Sequence, residues 1–169
     1  MKSKPYKFVI KWQGKFYDCE WFEKYNFEDY SQIKNVHGFV FDDKGRVCIV
    51  RVVKKDHWSD LGGGVEKEDK TFEDTFIREV NEEADLDLKD LKRLALIKVT
   101  PRHDKKNIFY ALRFVARVKK IKPQTIDPAE GTINERKFIN PKEFNKYCNW
   151  GENGDYQIKR ALVKLREKK

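Results

Sequence analysis

Residues 62–86 read GGGVEKEDKTFEDTFIREVNEEADL, and the fold turns on how this stretch divides into a loop and a helix. Phe72, Phe76, Val80 and Ala84 recur every four residues, the spacing that lays side chains along one stripe of a helix. Thr71 stands where an N-cap belongs, and Asp74 takes the place of a weaker capping-box acid. A helix is therefore expected to begin after Lys70. On its other surface, REVNEEADL (78–86) puts Glu79, Glu82 and Glu83 within one turn of one another. Each like-charge pair at such spacing costs the helix roughly 0.2–0.5 kcal/mol. A bound divalent cation would convert that repulsion into coordination, because hard cations take carboxylate oxygens. Glu83 falls near the Phe72/Phe76 edge of the stripe, Glu79 beside it and Glu82 further out. A carboxylate beside a buried face needs a hydrogen-bond donor, a cation or a metal. Glu73 also falls toward the apolar side, and the sequence names no partner for it.

Strands flank this stretch on both sides. YKFVIKW (6–12) and KFYDCEWF (15–22) surround Gln13-Gly14 and read as a β-hairpin. EKYNFEDYSQ (23–32) reads as a polar linker. VHGFVFD (36–42) and RVCIVRVV (46–53) are β-branched runs separated by a turn around Gly45. KKDHWSDLGGGVEKEDK (54–70) is expected to be a loop. Beyond the helix, residues 91–103 and 108–118 read as a long strand pair, with a basic loop at 104–107. A short strand is expected within 131–139, and PKEF (141–144) opens a short helix with proline first. Ile158, Ala161, Leu162 and Leu165 give residues 155–168 the pattern of a terminal amphipathic helix. The fold class is α/β (α+β), a mixed sheet with helices packed on it. Residues 1–34 are expected to form a hairpin extension and linker, and 35–169 the main domain.

Composition sets the outer bounds. At 169 residues, 39% hydrophobic and 14% aromatic, the chain suits one globular domain rather than disorder. No apolar run approaches the ~18–20 residues that span a bilayer, so no membrane role is expected. MKSKPYKFVIKWQ has a basic start but neither an apolar core nor a small-residue cleavage site, so a signal peptide is not expected. Cys19, Cys48 and Cys148 are odd in number and widely spaced, which points to reduced thiols and a cytoplasmic location. The net charge of +9 favours anionic partners such as nucleotides, polyphosphates or nucleic acid.

The glycine run and the acidic helix together resemble the Nudix box: a glycine, five residues, a glutamate, seven residues, then REUxEExGU with U aliphatic. Arg78, Glu79, Val80, Glu82, Glu83 and Leu86 occupy the matching positions. Trp58, ahead of Gly62-Gly63-Gly64-Val65-Glu66, looks like the family's usual entry to the box. The flanking strands and ERKFINPKEF match its layout over roughly residues 35–165. Two positions depart from the pattern. Counting back from Arg78 puts the first box glutamate at Lys70, whereas counting forward from Gly63 puts it at Asp69. In the family this carboxylate supports the box arginine. Asp69 can take that part if the loop bulges by one residue, while Lys70 would oppose Arg78. Asp85 stands where the family has a helix-ending glycine, and Asp tolerates left-handed backbone better than most residues.

The resemblance implies hydrolysis of a diphosphate linkage in a substrate built as a nucleoside diphosphate joined to another group. It implies Glu79, Glu82 and Glu83 as carriers of Mg²⁺, with Mn²⁺ as a substitute and a backbone carbonyl of Gly62 as a further ligand. Glu79, Glu82 and Arg78 are the catalytic candidates. Trp58, Gly63, Gly64 and Arg102 are candidates for contacting substrate. The base that prepares water is one of the trio or a downstream residue such as Glu130 or Glu135, and the family varies in this choice. Lys54, Lys55, His57, His103, Lys105 and Lys106 either steer phosphates or simply solubilise loops. Trp58 is either core or a stacking surface, and His37 reads as structural. The N-terminal hairpin either caps the sheet or joins two copies in a homodimer. Two other functional readings stand beside the hydrolase: a degenerate domain that binds without turnover, and an RNA-directed protein suggested by the basic balance and the aromatic–basic hairpin.

Overall fold

A computed structural model describes residues 4–25 and 32–167. Most of the expected linker (26–31) lies outside the described residues. The acidic stretch forms helix α1, Phe72–Ala84, with Thr71 Oγ1 accepting the Asp74 N–H at 3.0 Å as the N-cap. Its expected stripe is the buried face, for Phe76, Val80 and Ala84 are fully inaccessible. Burying a side chain such as Phe76 or Val80 contributes roughly 1.5–3 kcal/mol each. Asp85 ends the helix at φ 49°, ψ 50°, the left-handed cap that glycine usually provides. Its carboxylate then accepts from Thr125 N and Thr125 Oγ1, both at 2.8 Å, contacts that glycine could not make. Glu73 finds its partner outside the helix, in Arg93 Nε at 2.6 Å.

Strands β1 (Tyr6–Trp12), β2 (Lys15–Phe22), β3 (Ile33–Phe41), β4 (Val47–Arg51), β5 (Trp58–Ser59), β6 (Leu61–Gly64), β7 (Leu86–Pro101), β8 (Phe109–Ile121) and β9 (Glu135–Ile139) share one mixed sheet. Its order is β1-β2-β7-β8-β3-β4-β5, with β6 paired to β3 and β9 to β4. β3 runs parallel to β8; the other pairings are antiparallel. Alternation along β3 sends Val36 and Val40 to the core under α1, and Phe39 and Phe41 to the core on the other face. That second face is covered by α2 (Phe144–Cys148) and α3 (Glu152–Arg166), whose Phe144, Ile158, Ala161 and Leu165 complete its core. Pro141–Glu143, expected as helix, is a 3-10 turn leading into α2, and α3 begins three residues before the expected start at 155. The fold is thus the mixed α+β arrangement anticipated, with helices on both faces of the sheet.

One expectation fails in the stretch 54–70. The glycine run is strand β6, not loop, with Gly62 opposite His37 and Gly64 opposite Asn35. A Cβ at Gly62 would lie 2.2 Å from the Val36 carbonyl oxygen, so only glycine lets this backbone come so close to β3. Strand propensity scales do not register a pairing that depends on missing side chains.

Candidate active site

Strand β6 lies along the carboxylate face of α1. The Gly62 N–H donates to Glu83 Oε2 at 2.9 Å. A Cβ at Gly63 would sit 2.5 Å from Glu79 Oε1, so the absence of a side chain makes room for that carboxylate. Burial follows the expected order along the helix face: the Glu79 side chain is 13% exposed and Glu82 27%, while Glu83 is turned inward to β6.

Arg78 is the hub of the site. Its Nη1 donates to Glu79 Oε1 at 3.0 Å and to Glu82 Oε2 at 3.1 Å. Its Nη2 reaches the Gly64 carbonyl at 2.9 Å. Asp69 grips the remaining edge of the guanidinium, Oδ1 accepting from Nε and Oδ2 from Nη2, both at 3.0 Å. This two-point fit is the geometry that an arginine fork and a carboxylate favour. A turn at Glu66–Asp69 delivers it: Asp69 N donates to Glu66 O at 3.2 Å, and Asp69 Oδ2 accepts the Glu66 N–H at 2.9 Å. The turn absorbs the additional loop residue, so Asp69 faces Arg78 and Lys70 is left exposed. Hydrogen bonding to Arg78 is the main cause that holds the Asp69 carboxyl down to about 2.

The electrostatics of Glu79 and Glu83 point the other way. Burial pushes the Glu83 carboxyl well above its ordinary range, against the opposing Gly62 N–H and reinforced by Glu79. Burial also raises Glu79, in spite of its contact with Arg78. These two carboxylates face a glycine strand, Glu83 held by the Gly62 N–H and Glu79 sharing Arg78 with Glu82 and Asp69, and their oxygens are the hard donors that suit Mg²⁺ or Mn²⁺. Among the described residues, no three acidic, imidazole or thiol side chains are already gathered as a metal-holding group. Glu79 and Glu82 are turned to Arg78 and Glu83 to Gly62, so holding a cation requires side-chain rotation. The contact Gly62 makes with the trio is through its N–H.

A cavity of about 380 Å³ opens over β6, walled by Lys55, Glu79, Glu83, Asp127 and Glu130 together with the glycines. Of the proposed bases, Glu130 is on this wall, ion-paired with Lys55. Glu135 is not; it binds Arg51 at 2.8 Å on the surface. Gly63 and Gly64 line the cavity. Trp58 does not: Lys137 Nζ lies 4.9 Å from its ring centre, Arg51 5.4 Å, and Tyr147 meets it edge-on. Arg102 is also elsewhere, bound to Asp18 at 2.8 Å beside the β1–β2 hairpin, because the β7–β8 loop that carries it packs on that side. His37 is structural in its setting, Nδ1 being 3.5 Å from buried Asp60, which also pairs with Arg113.

Sequence reasoning missed Asp60, Asp127 and Asn134. Asp127 is 3% exposed, accepts from Ala129 N at 2.9 Å and from Asn134 Nδ2 at 2.8 Å, and so stiffens the far wall of the cavity. Asn134 Nδ2 also approaches the Glu83 carbonyl at 3.4 Å. The only local signal was the Asp127-Pro128 pair, which marks a turn and says nothing of a site.

Sheet, helix and glycine strand define a class, and comparison with known families agrees: the chain belongs to the NUDIX domain family, whose model matches residues 32–162. No curated protein gives a significant sequence match. Solved structures do. A Bacillus subtilis pyrophosphohydrolase, BsRppH in its E68A form, superposes with TM-score 0.67 at 17% identity, covering 95% of this chain and 96% of its own. An ADP-ribose pyrophosphatase from Streptococcus suis gives 0.58 at 16% identity, with 80% and 92% covered. The NUDIX domain of Shewanella oneidensis NrtR, solved with ADP ribose, gives 0.59 at 15% identity, with 83% and 94% covered. At these identities the likeness is one of fold.

Proposed function

We propose that the protein is a magnesium-dependent pyrophosphohydrolase that cleaves the diphosphate linkage of a nucleoside-diphosphate-type substrate, with manganese able to replace magnesium. The observation that carries this reading is the pair of desolvated carboxylates, Glu79 and Glu83, held against a glycine strand on the wall of an open cavity. Glu79, Glu82 and Glu83 would hold the cation, with the Gly62 carbonyl as a further oxygen. Bound there, the cation would neutralise the charge of the diphosphate and lower the barrier to attack on phosphorus.

The chain's own groups do the rest. Asp69 fixes the plane of Arg78, and Arg78 in turn sets Glu79 and Glu82 and ties the helix to the Gly64 carbonyl. Gly63 and Gly64, with no side chains, let a phosphate approach the strand closely. Glu130 faces the same cavity and is the better placed of the two downstream candidates to accept the proton of water. Its partner Lys55 offers a cation to the departing phosphate. Residues 35–169 would carry this activity, with 1–34 as an extension. None of the three cysteines is disulfide-bonded, which fits a cytoplasmic setting. Among the described residues no helix is long and apolar enough to cross a membrane.

The test is release of a phosphate-containing product from a panel of nucleoside diphosphate derivatives in Mg²⁺. Glu82→Gln should lower the rate about 10–100-fold or more. Unchanged activity in that variant would remove the carboxylate trio from the mechanism.

A further inference from the structure

The end of the β1–β2 hairpin lies outside the matched family domain and carries an unusual surface. Trp12 is 59% exposed and Phe16 46%, and they are the only aromatic side chains in the exposed class among the described residues. Both flank the tight turn at Gln13-Gly14. Single exposed apolar residues need no explanation, but here exposed Ile10 lies on the Trp12 face of the hairpin and exposed Val9 on the Phe16 face, so each ring has an apolar neighbour.

The register adds charge to each ring. Trp12 pairs with Lys15 and Phe16 with Lys11, so each face of the hairpin end presents one aromatic beside one lysine. Lys11 Nζ lies 5.5 Å from the Phe16 ring centre, and Arg102 lies 5.8 Å from it on the other strand's side. The β7–β8 loop then brings exposed Lys105 and Lys106 to the same end. No salt bridge within 4 Å holds Lys11, Lys15, Lys105 or Lys106 among the described residues, while Asp18, the partner of Arg102, also feels the charge of Lys105. The strand ends continue toward the cavity. Tyr17 is opposite Pro101, Val99 opposite Phe109, Ile33 opposite Tyr110 and Asn35 opposite Gly64. Hairpin end, β7–β8 loop and glycine strand therefore share one end of the sheet. Four strand spacings separate β2 from β6, a span of roughly 19 Å.

We infer that this hairpin end is a binding surface for single-stranded nucleic acid, holding the nucleotides that follow the end presented to the glycine strand. Exposed rings set beside lysines suit a flexible polyanion with a flat ring on each unit. An acidic peptide would use the lysines and leave Trp12 and Phe16 without a partner. The link to the cavity rests on the diphosphate reading above; binding at the hairpin does not.

The test is fluorescence anisotropy with a labelled oligonucleotide of about 12 nucleotides ending in a 5′-hydroxyl, in ribose and deoxyribose forms. Trp12→Ala with Phe16→Ala should weaken binding about tenfold or more. Lys11→Gln with Lys15→Gln should flatten the slope of log affinity against log salt by about 1.4. All four positions are exposed, so the variants should melt as wild type does and hydrolyse a mononucleotide substrate unchanged. Loss of oligonucleotide binding alongside inactive wild type would keep this surface and defeat the diphosphate reading. Wild-type affinity in both variants would overturn the inference. So would binding to vesicles rich in phosphatidylglycerol, but not to oligonucleotide, that the same substitutions abolish, or a dimer that they dissociate.

Discussion

Replacing Asp69 by alanine removes both bonds that fix the Arg78 fork, each 3.0 Å long, together with the bond from Glu66 N. The Asp69 side chain is 6% exposed and Arg78 21%, so water makes up little of the loss. Hydrogen bonds to charged groups contribute about 1.5–3 kcal/mol. Arg78 keeps Glu79 and Glu82, which places the expected cost at roughly 2 kcal/mol rather than the 3–5 of a fully orphaned buried charge. For a chain of this size that is a fall of about 4–8 °C in Tm. Acid provides an internal check. The folded carboxyl sits at about 2, below its unfolded value of about 3.9, so the folded state binds the proton less readily. The stabilisation is present above about pH 4 and lost as pH falls through about 2, so wild type and variant should converge over that window. Thermal melts at several pH values, with Lys70→Glu made in the Asp69→Ala background, decide the matter. Rescue by Lys70→Glu, or no loss in Asp69→Ala, would refute the assignment of Asp69 as the support of Arg78.

Other consequences follow from the same contacts. Gly63→Ala places a methyl against Glu79 Oε1 and should lower hydrolysis sharply while the melting curve shifts little, read by activity and calorimetry on one preparation. Asp85→Gly relieves about 1–2 kcal/mol of left-handed strain but loses two bonds to Thr125, so the protein should melt lower, and Asp85→Ala lower still. Asp60→Ala strands Arg113 in a buried setting and should cost about 3–5 kcal/mol by urea unfolding. A chelator should stop hydrolysis, and added Mg²⁺ should restore it.

Helix α1 was legible because its apolar period, Thr71 cap and Asp85 stop all agree at one place. The choice between Asp69 and Lys70 was not, since residue counting from either side gives different answers. It is decided by the Glu66–Asp69 turn, a hydrogen-bonding feature with no periodicity. Strand β6 was hidden for a related reason: three glycines signal a loop by propensity, while their pairing depends on close approach to β3. Trp58 and Arg102 show the limit of reading by residue type. Their chemistry suits a nucleotide site, yet tertiary packing gives Trp58 to Arg51 and Lys137 and gives Arg102 to Asp18. Asp127, remote in sequence and brought in by a loop, offered no pattern to read.

The central claim is that the α1 carboxylates are built to hold a divalent cation, and Glu83→Gln tests it most directly. Burial opposes the charge on Glu83, so without metal the glutamine variant should melt above wild type near neutral pH. Saturating Mg²⁺ should raise the wild-type Tm and leave the variant nearly unmoved. A wild-type Tm indifferent to Mg²⁺ and Mn²⁺, or an equal rise in both proteins, would contradict it.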